Sequence, residues 1–135
     1  MDAQLLKQSF TQIVPRKDEF ARSFYQRLFS QFPETAPLFA RVDMAHQEKS
    51  LMATLGVVVN GLAAGEDVSP AVRALGKRHQ GYGVLPDHFD AVGQSLLATL
   101  REFLGTSWTT ELETSWSDAY VTLASLMKAE IVLAN

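Results

Sequence analysis

The sequence predicts an all-α domain. Apolar residues recur at helical spacing along almost the whole chain, and the breaks between runs fall at proline, glycine and cap-type residues. No segment alternates convincingly in the manner of a half-buried strand. With 135 residues, 47% of them hydrophobic and 20% charged, the chain has the length and composition of one globular domain covering residues 1–135.

Each element has its own signal. Leu5, Leu6, Phe10, Ile13 and Val14 form a stripe behind a cap-type Asp2, and Pro15 ends it. A second helix carries the rows Phe20–Phe24–Leu28 and Tyr25–Phe29–Phe32. Pro33 and Pro37 then allow only a short helical turn before Phe39. Asp43 caps a long helix with Gln47, Leu51, Leu55, Val58, Val59 and Leu62 on one face; the triplet Val57–Val59 favours a strand by propensity, but the flanking spacing outweighs it. After a loop over residues 64–69, Ser69-Pro70 reads as a cap followed by a first-turn proline. That helix presents Val72, Leu75 and His79 and closes at Gly81 and Gly83. Pro86 opens the next, striped by Phe89, Val92, Leu96, Leu100 and Phe103 and stopped near Gly105. Thr110-Glu111-Leu112-Glu113 matches a capping box ahead of a last helix with Leu112, Trp116, Tyr120, Leu123 and Met127. Six or seven helices of such unequal length do not suit an up-down four-helix bundle.

Composition removes several functions. Twelve Lys and Arg against fifteen Asp and Glu leave a net charge of −3, which gives nucleic acid no overall attraction. The absence of cysteine excludes disulfides, thiolate metal sites, iron–sulfur clusters and a cysteine nucleophile. The N-terminus lacks the basic start and apolar run of a signal peptide, and no stretch approaches the ~20 apolar residues of a membrane span. The expectation is a soluble cytoplasmic protein. No dinucleotide or Walker-type glycine loop, Gly-x-Ser-x-Gly elbow or His-Glu-x-x-His helix is present, and the carboxylates are scattered over solvent faces.

Polar residues on apolar faces are the remaining candidates. His79 lies on the stripe of Val72 and Leu75, as either a hydrogen-bonded core histidine or a ligand. His46 and His88 sit at helix starts and read as solvated. Gln47 shares a face with Leu51 and Leu55, where an unpartnered amide costs about 1–3 kcal/mol; it marks a partly exposed helix end or a donor aimed into a cavity. The hydroxyl of Tyr25 poses the same question. Phe39, in a break between helices, wants something flat and apolar to cover. Together these residues describe a cavity with one imidazole on one side and two hydrogen-bond donors on the other.

In order and spacing, Phe24-Tyr25-x-x-Leu28-Phe29, Pro33-x-x-x-Pro37-Leu38-Phe39, Gln47-x-x-x-Leu51, Arg78-His79-x-x-Tyr82-Gly83-Val84 and Trp116-x-x-x-Tyr120 resemble the single-domain bacterial globins akin to the haem domain of flavohaemoglobins. The resemblance runs from about Leu5 to about Glu130. It implies a globin fold of six to eight helices sandwiching haem b, with His79 as the iron ligand and Phe39, Leu51, Val84 and Phe89 against the porphyrin. It makes Tyr25 and Gln47 the pair on the opposite, distal side. A register shifted by one would instead offer His46, at the expense of the helix stripe. A tyrosine that supports the ligating histidine in flavohaemoglobins is replaced here by Phe89, which leaves Glu130 as the candidate carboxylate behind His79.

Haem held by one histidine leaves a coordination place for O2, NO or CO. The resemblance therefore implies reversible oxygen binding for transport or storage. Its alternatives are nitric oxide dioxygenation served by a separate electron-donating reductase, haem-based gas sensing, and a haemless interaction module.

Overall fold

In a computed structural model describing residues 1–134, with side chains other than those of residues 80, 81 and 132–134, the chain forms six α-helices and no strand among the described residues. They are α1 (Ala3–Ile13), α2 (Lys17–Gln31), α3 (Met44–Ala63), α4 (Ser69–Gly81), α5 (His88–Leu104) and α6 (Thr110–Ala134). Short 3-10 turns over Val14–Arg16, Pro33–Phe39 and Gly105–Ser107 join three of the connections, each at a proline or glycine.

The helices begin where short polar side chains can accept first-turn N–H groups. Asp2 accepts from Gln4 and Leu5, and Asp43 from Ala45, as the sequence predicts. Two starts differ. Ser69 is the first residue of α4 and not its cap: its N–H donates to the carboxylate of Asp67 at 2.9 Å. The last helix is capped by Thr109, whose hydroxyl accepts from Leu112 at 3.2 Å, and not by Thr110. Glu113, expected to close the capping box, is drawn instead to Arg101 of α5 at 2.6 Å. The Val57–Val59 triplet is helical, held inside α3 by the pattern on either side.

α1 packs on α3 and α6, α2 on α3 and α5, and α4 on α6. Polar bonds tie the larger group together. The indole of Trp116 donates to Ser9 Oγ at 2.9 Å in a buried setting, while Arg27 on α2 donates to Thr99 at 2.7 Å and pairs with Glu102 on α5. Between α4 and α6 the approach is closer. A Cβ on Gly76 would lie 2.8 Å from the backbone of Met127, so only glycine lets these two helices meet.

The buried apolar residues fall into two clusters. The larger joins α1, α2, α3, α5 and the first half of α6 around Leu6, Phe20, Phe24, Leu28, Leu100 and Trp116. The smaller joins α4, the start of α5 and the second half of α6 around Val72, Phe89, Ala124, Met127 and Ile131. Tyr120 packs against both. Its hydroxyl donates to the Phe89 carbonyl at 2.6 Å, and its ring fills the space that a Cβ on Gly93 would take. Between α3, from the larger group, and α4, from the smaller, lies an apolar cleft of about 250 Å³ walled by Thr54, Val58, Val72 and Leu75, with Arg78 at its edge.

Candidate functional site

The cleft inherits its chemistry from two helix faces. On α3, Gln47 and Leu51 stand two turns and one turn before Thr54, at spacings of seven and three residues, and so share a helix face with this lining residue. On α4, His79 follows Leu75 by four residues and Val72 by seven, next to Arg78 at the edge of the cleft.

His79 is held from several sides. Its Nδ1 lies 2.8 Å from the Leu75 carbonyl one turn earlier. A carbonyl oxygen can only accept, so Nδ1 carries the proton and Nε2 keeps its lone pair. No protein partner for Nε2 is found among the described residues. Burial depresses the His79 pKa below the ordinary histidine value and Arg78 adds to the effect, against the opposing bond to Leu75; the net result favours the neutral ring. The main chain is fixed too. The Val84 N–H donates to the His79 carbonyl at 3.2 Å while Gly83 adopts φ +83°, the left-handed turn that ends a helix on glycine. The Phe89 ring lies 6.2 Å from the imidazole, and Tyr120 holds Phe89 by its carbonyl.

Beside Gln47, Tyr25 of α2 is 5% exposed and forms an edge-on aromatic contact with Phe39 at 5.4 Å, with Phe29 at 5.9 Å from one and 5.3 Å from the other. Phe39 is placed by the Pro33–Phe39 turn, which the buried Thr35 pins by donating to the Phe32 carbonyl at 2.7 Å. The Gln47 amide donates to the Tyr25 hydroxyl oxygen at 2.9 Å. Burial pushes the phenol up to about 12; the Gln47 bond opposes this and the Glu48 carboxylate reinforces it.

The structure thus brings together Tyr25, Gln47 and Phe39 on one side, and His79, Val84 and Phe89 on the other. Leu51 packs, half-buried, against the larger cluster. His46 is exposed, as a solvated residue should be. His88 is not free in solvent: half-buried, it accepts the Leu85 N–H at 2.9 Å and closes the turn before α5, which begins two residues after Pro86. Glu130 is a correction. No hydrogen bond joins it to His79 among those described, because the Leu75 carbonyl on the same helix already takes the Nδ1 proton. Two supporting parts escape the sequence argument: that main-chain acceptor, and the bond from Tyr120 to the Phe89 carbonyl. The polar side chain of Tyr120 on the α6 stripe was the only available signal.

A half-buried neutral imidazole offering Nε2, beside a cleft with apolar walls, is a donor set for a flat apolar group with one metal centre. Residues 22–127 match the family model described as Globin. The chain belongs to the globin family. It is 34% identical over 109 residues to a flavohemoprotein of Rhizobium meliloti (strain 1021), covering 77% of this chain and 26% of that protein. It is 30% identical over 125 residues to a flavohemoprotein of Bordetella parapertussis, covering 91% of this chain and 31% of that protein. This globin therefore spans less than a third of the length of these relatives. Its fold matches that of a Pseudomonas aeruginosa PAO1 protein described as structurally highly homologous to a human haemoglobin, with a TM-score of 0.83, 24% identity and coverage of 96% and 97% of the two chains. A bacterial globin of Campylobacter jejuni superposes with a TM-score of 0.82 at 19% identity, covering 98% and 95%. An assumed nitric oxide dioxygenase of Rhodothermus marinus, engineered into a carbene transferase, does so with 0.84 at 24% identity, covering 98% and 92%. Membership implies a haem cofactor, and the residues of the cleft fit one. No helix among the described residues is long and apolar enough to cross a membrane.

Proposed function

We propose that this globin holds haem b between α3 and α4 and binds oxygen reversibly. His79 Nε2 would hold the iron, with Phe39, Leu51, Val84 and Phe89 walling the porphyrin and excluding water. Haem so held supplies an iron with one place open to a diatomic ligand. The observation that carries the reading is the direction of the bond between Gln47 and Tyr25. Because the amide donates and the phenol oxygen accepts, the hydroxyl hydrogen of Tyr25 has no acceptor among the described residues and is free to donate to a bound ligand. Gln47 then orients, and Tyr25 is the direct donor. A buried, preorganised donor strengthens binding of a polarised ligand such as oxygen and does little for carbon monoxide.

Tyr25→Phe is expected to speed oxygen release about 10- to 100-fold, the equivalent of one buried hydrogen bond of roughly 1.5–3 kcal/mol, with little change in carbon monoxide release. Gln47→Leu should have a smaller effect of the same sign. Stopped-flow ligand displacement measures both, and an oxygen release rate unmoved by Tyr25→Phe rejects the assignment.

The same strong donor supports a second reading, nitric oxide dioxygenation, in which nitric oxide, oxygen and one electron yield nitrate. A ligand held tightly suits turnover in place better than delivery. The electron would come from a separate reductase. Nitrate formation over many turnovers, once a reductase is supplied, separates the two readings.

A further inference from the structure

We propose that the outward face of α4, together with the corner that follows it, is the docking surface for an acidic electron-donating flavoprotein. The proposal rests on the haem reading above.

The charge of the chain is unevenly placed. Residues 68–86 hold Arg73, Lys77 and Arg78 and no acid, a local balance of +3. The rest of the chain holds nine cations and fifteen acids, a balance of −6. Arg73 and Lys77 are exposed, one turn apart, on a face turned away from Val72 and Gly76, which pack toward α6. None of the three cations joins an ion pair among the described residues. Acids flank the patch: Glu66 and Asp67 precede it, with Asp67 turned toward the Ser69 N–H and feeling Arg73, Asp87 and Asp90 follow the corner, and Glu130 lies half-exposed near the end of α6.

The corner adds apolar anchors. Tyr82 is 62% exposed and Leu85 59%, on either side of the Gly83 turn. An exposed aromatic beside a cationic rim is the composition of a protein-binding patch. A positive patch on a negative molecule also orients an acidic partner before contact. Electron-transfer encounters are small and transient, so a surface of this extent is enough. The patch lies on the helix that carries His79, the wall behind which the iron would sit. An anionic membrane fits less well, since the face of α4 that bears Val72 and Gly76 is taken up by α6, which leaves only Tyr82 and Leu85 of the corner to insert. In the step served, the reduced flavin of the donor gives up one electron and ferric iron takes it to become ferrous. No atom is transferred.

The test uses haem-loaded protein with its Soret band recorded first, and photoreduced flavodoxin as the acidic donor. Absence of the band defeats the haem reading alone, because flavodoxin binding to the chain can still be titrated calorimetrically. At low ionic strength, Arg73→Glu with Lys77→Glu should weaken binding and slow ferric haem reduction about 10-fold or more, and added salt should erase the difference. Lys7→Glu with Lys17→Glu makes the same change in net charge elsewhere and should alter both less than about twofold. Tyr82→Ser should weaken binding at high salt as well. If the charge reversal impairs folding, Arg73→Gln with Lys77→Gln should show the same direction at about half the size. Equal slowing by the two reversal pairs, reduction independent of salt, or binding of phosphatidylglycerol vesicles with no effect of Arg73 and Lys77 on flavodoxin would each overturn the proposal.

Discussion

A phenol that is 5% exposed is kept protonated by its burial, against the pull of the amide N–H at its oxygen. Tyr25 in the folded state ionises near 12 and in the unfolded chain near its ordinary 10. Between those values the unfolded state loses its proton first, so stability falls as pH rises through that window and is untouched below it. Tyr120, raised also by burial, acts in the same direction. Melting curves taken from about pH 8 to about pH 11 should therefore fall less steeply for Tyr25→Phe than for the parent. Identical slopes would place the ionisation elsewhere. Tyr25, Gln47 and His79 were all legible in the sequence as polar groups on apolar faces. Which of the first two donates was not, because a residue name gives capacity and not direction. The partner of His79 was also hidden. Sequence reasoning looked for a side chain and found Glu130, whereas the bond goes to a main-chain carbonyl that every residue possesses.

Helix glycines look alike in sequence and differ sharply in place. A Cβ on Gly56 would meet Phe10 at 3.6 Å, an ordinary contact, while one on Gly76 would press on the Met127 backbone at 2.8 Å. Gly56→Ala is expected to stabilise by about 0.5–1 kcal/mol through helix propensity. Gly76→Ala gains the same propensity but must force α4 from α6, so a net loss of roughly 1–3 kcal/mol is expected. Urea unfolding of both variants reads the contrast; a stabilising Gly76→Ala would show that the two helices stand further apart. The helices themselves were readable because spacing, Asp2 and Asp43 caps, and Gly83 and Gly105 stops agree. Cap registers at residues 69 and 110 were not. Neighbouring residues of similar chemistry compete there, and the winner depends on partners such as Arg101 that local sequence does not reveal.

At the scale of the molecule, the cleft separates a large apolar cluster from a small one, with Tyr120 packed against both. Removing haem should cost the smaller body more, because α4 has the cleft on one side and α6 on the other. Hydrogen exchange of the haem-free protein is expected to rise first in α4 and residues 82–87, with α1 and α2 protected and haem restoring the difference. Uniform exchange would mean one undivided core. Periodicity showed which face of each helix is apolar but not which face it meets, so the division into two clusters was not legible. The partner of α4 comes late in the chain. Met127 and Ile131, against which the His79 wall is seated, follow that histidine by roughly 50 residues. A ribosome adding about 5–20 residues per second must work for several more seconds before they can emerge. Tyr25 and Gln47 are therefore made well before that wall can be seated, and a nascent chain of this globin should capture its cofactor only after Met127 and Ile131 have emerged.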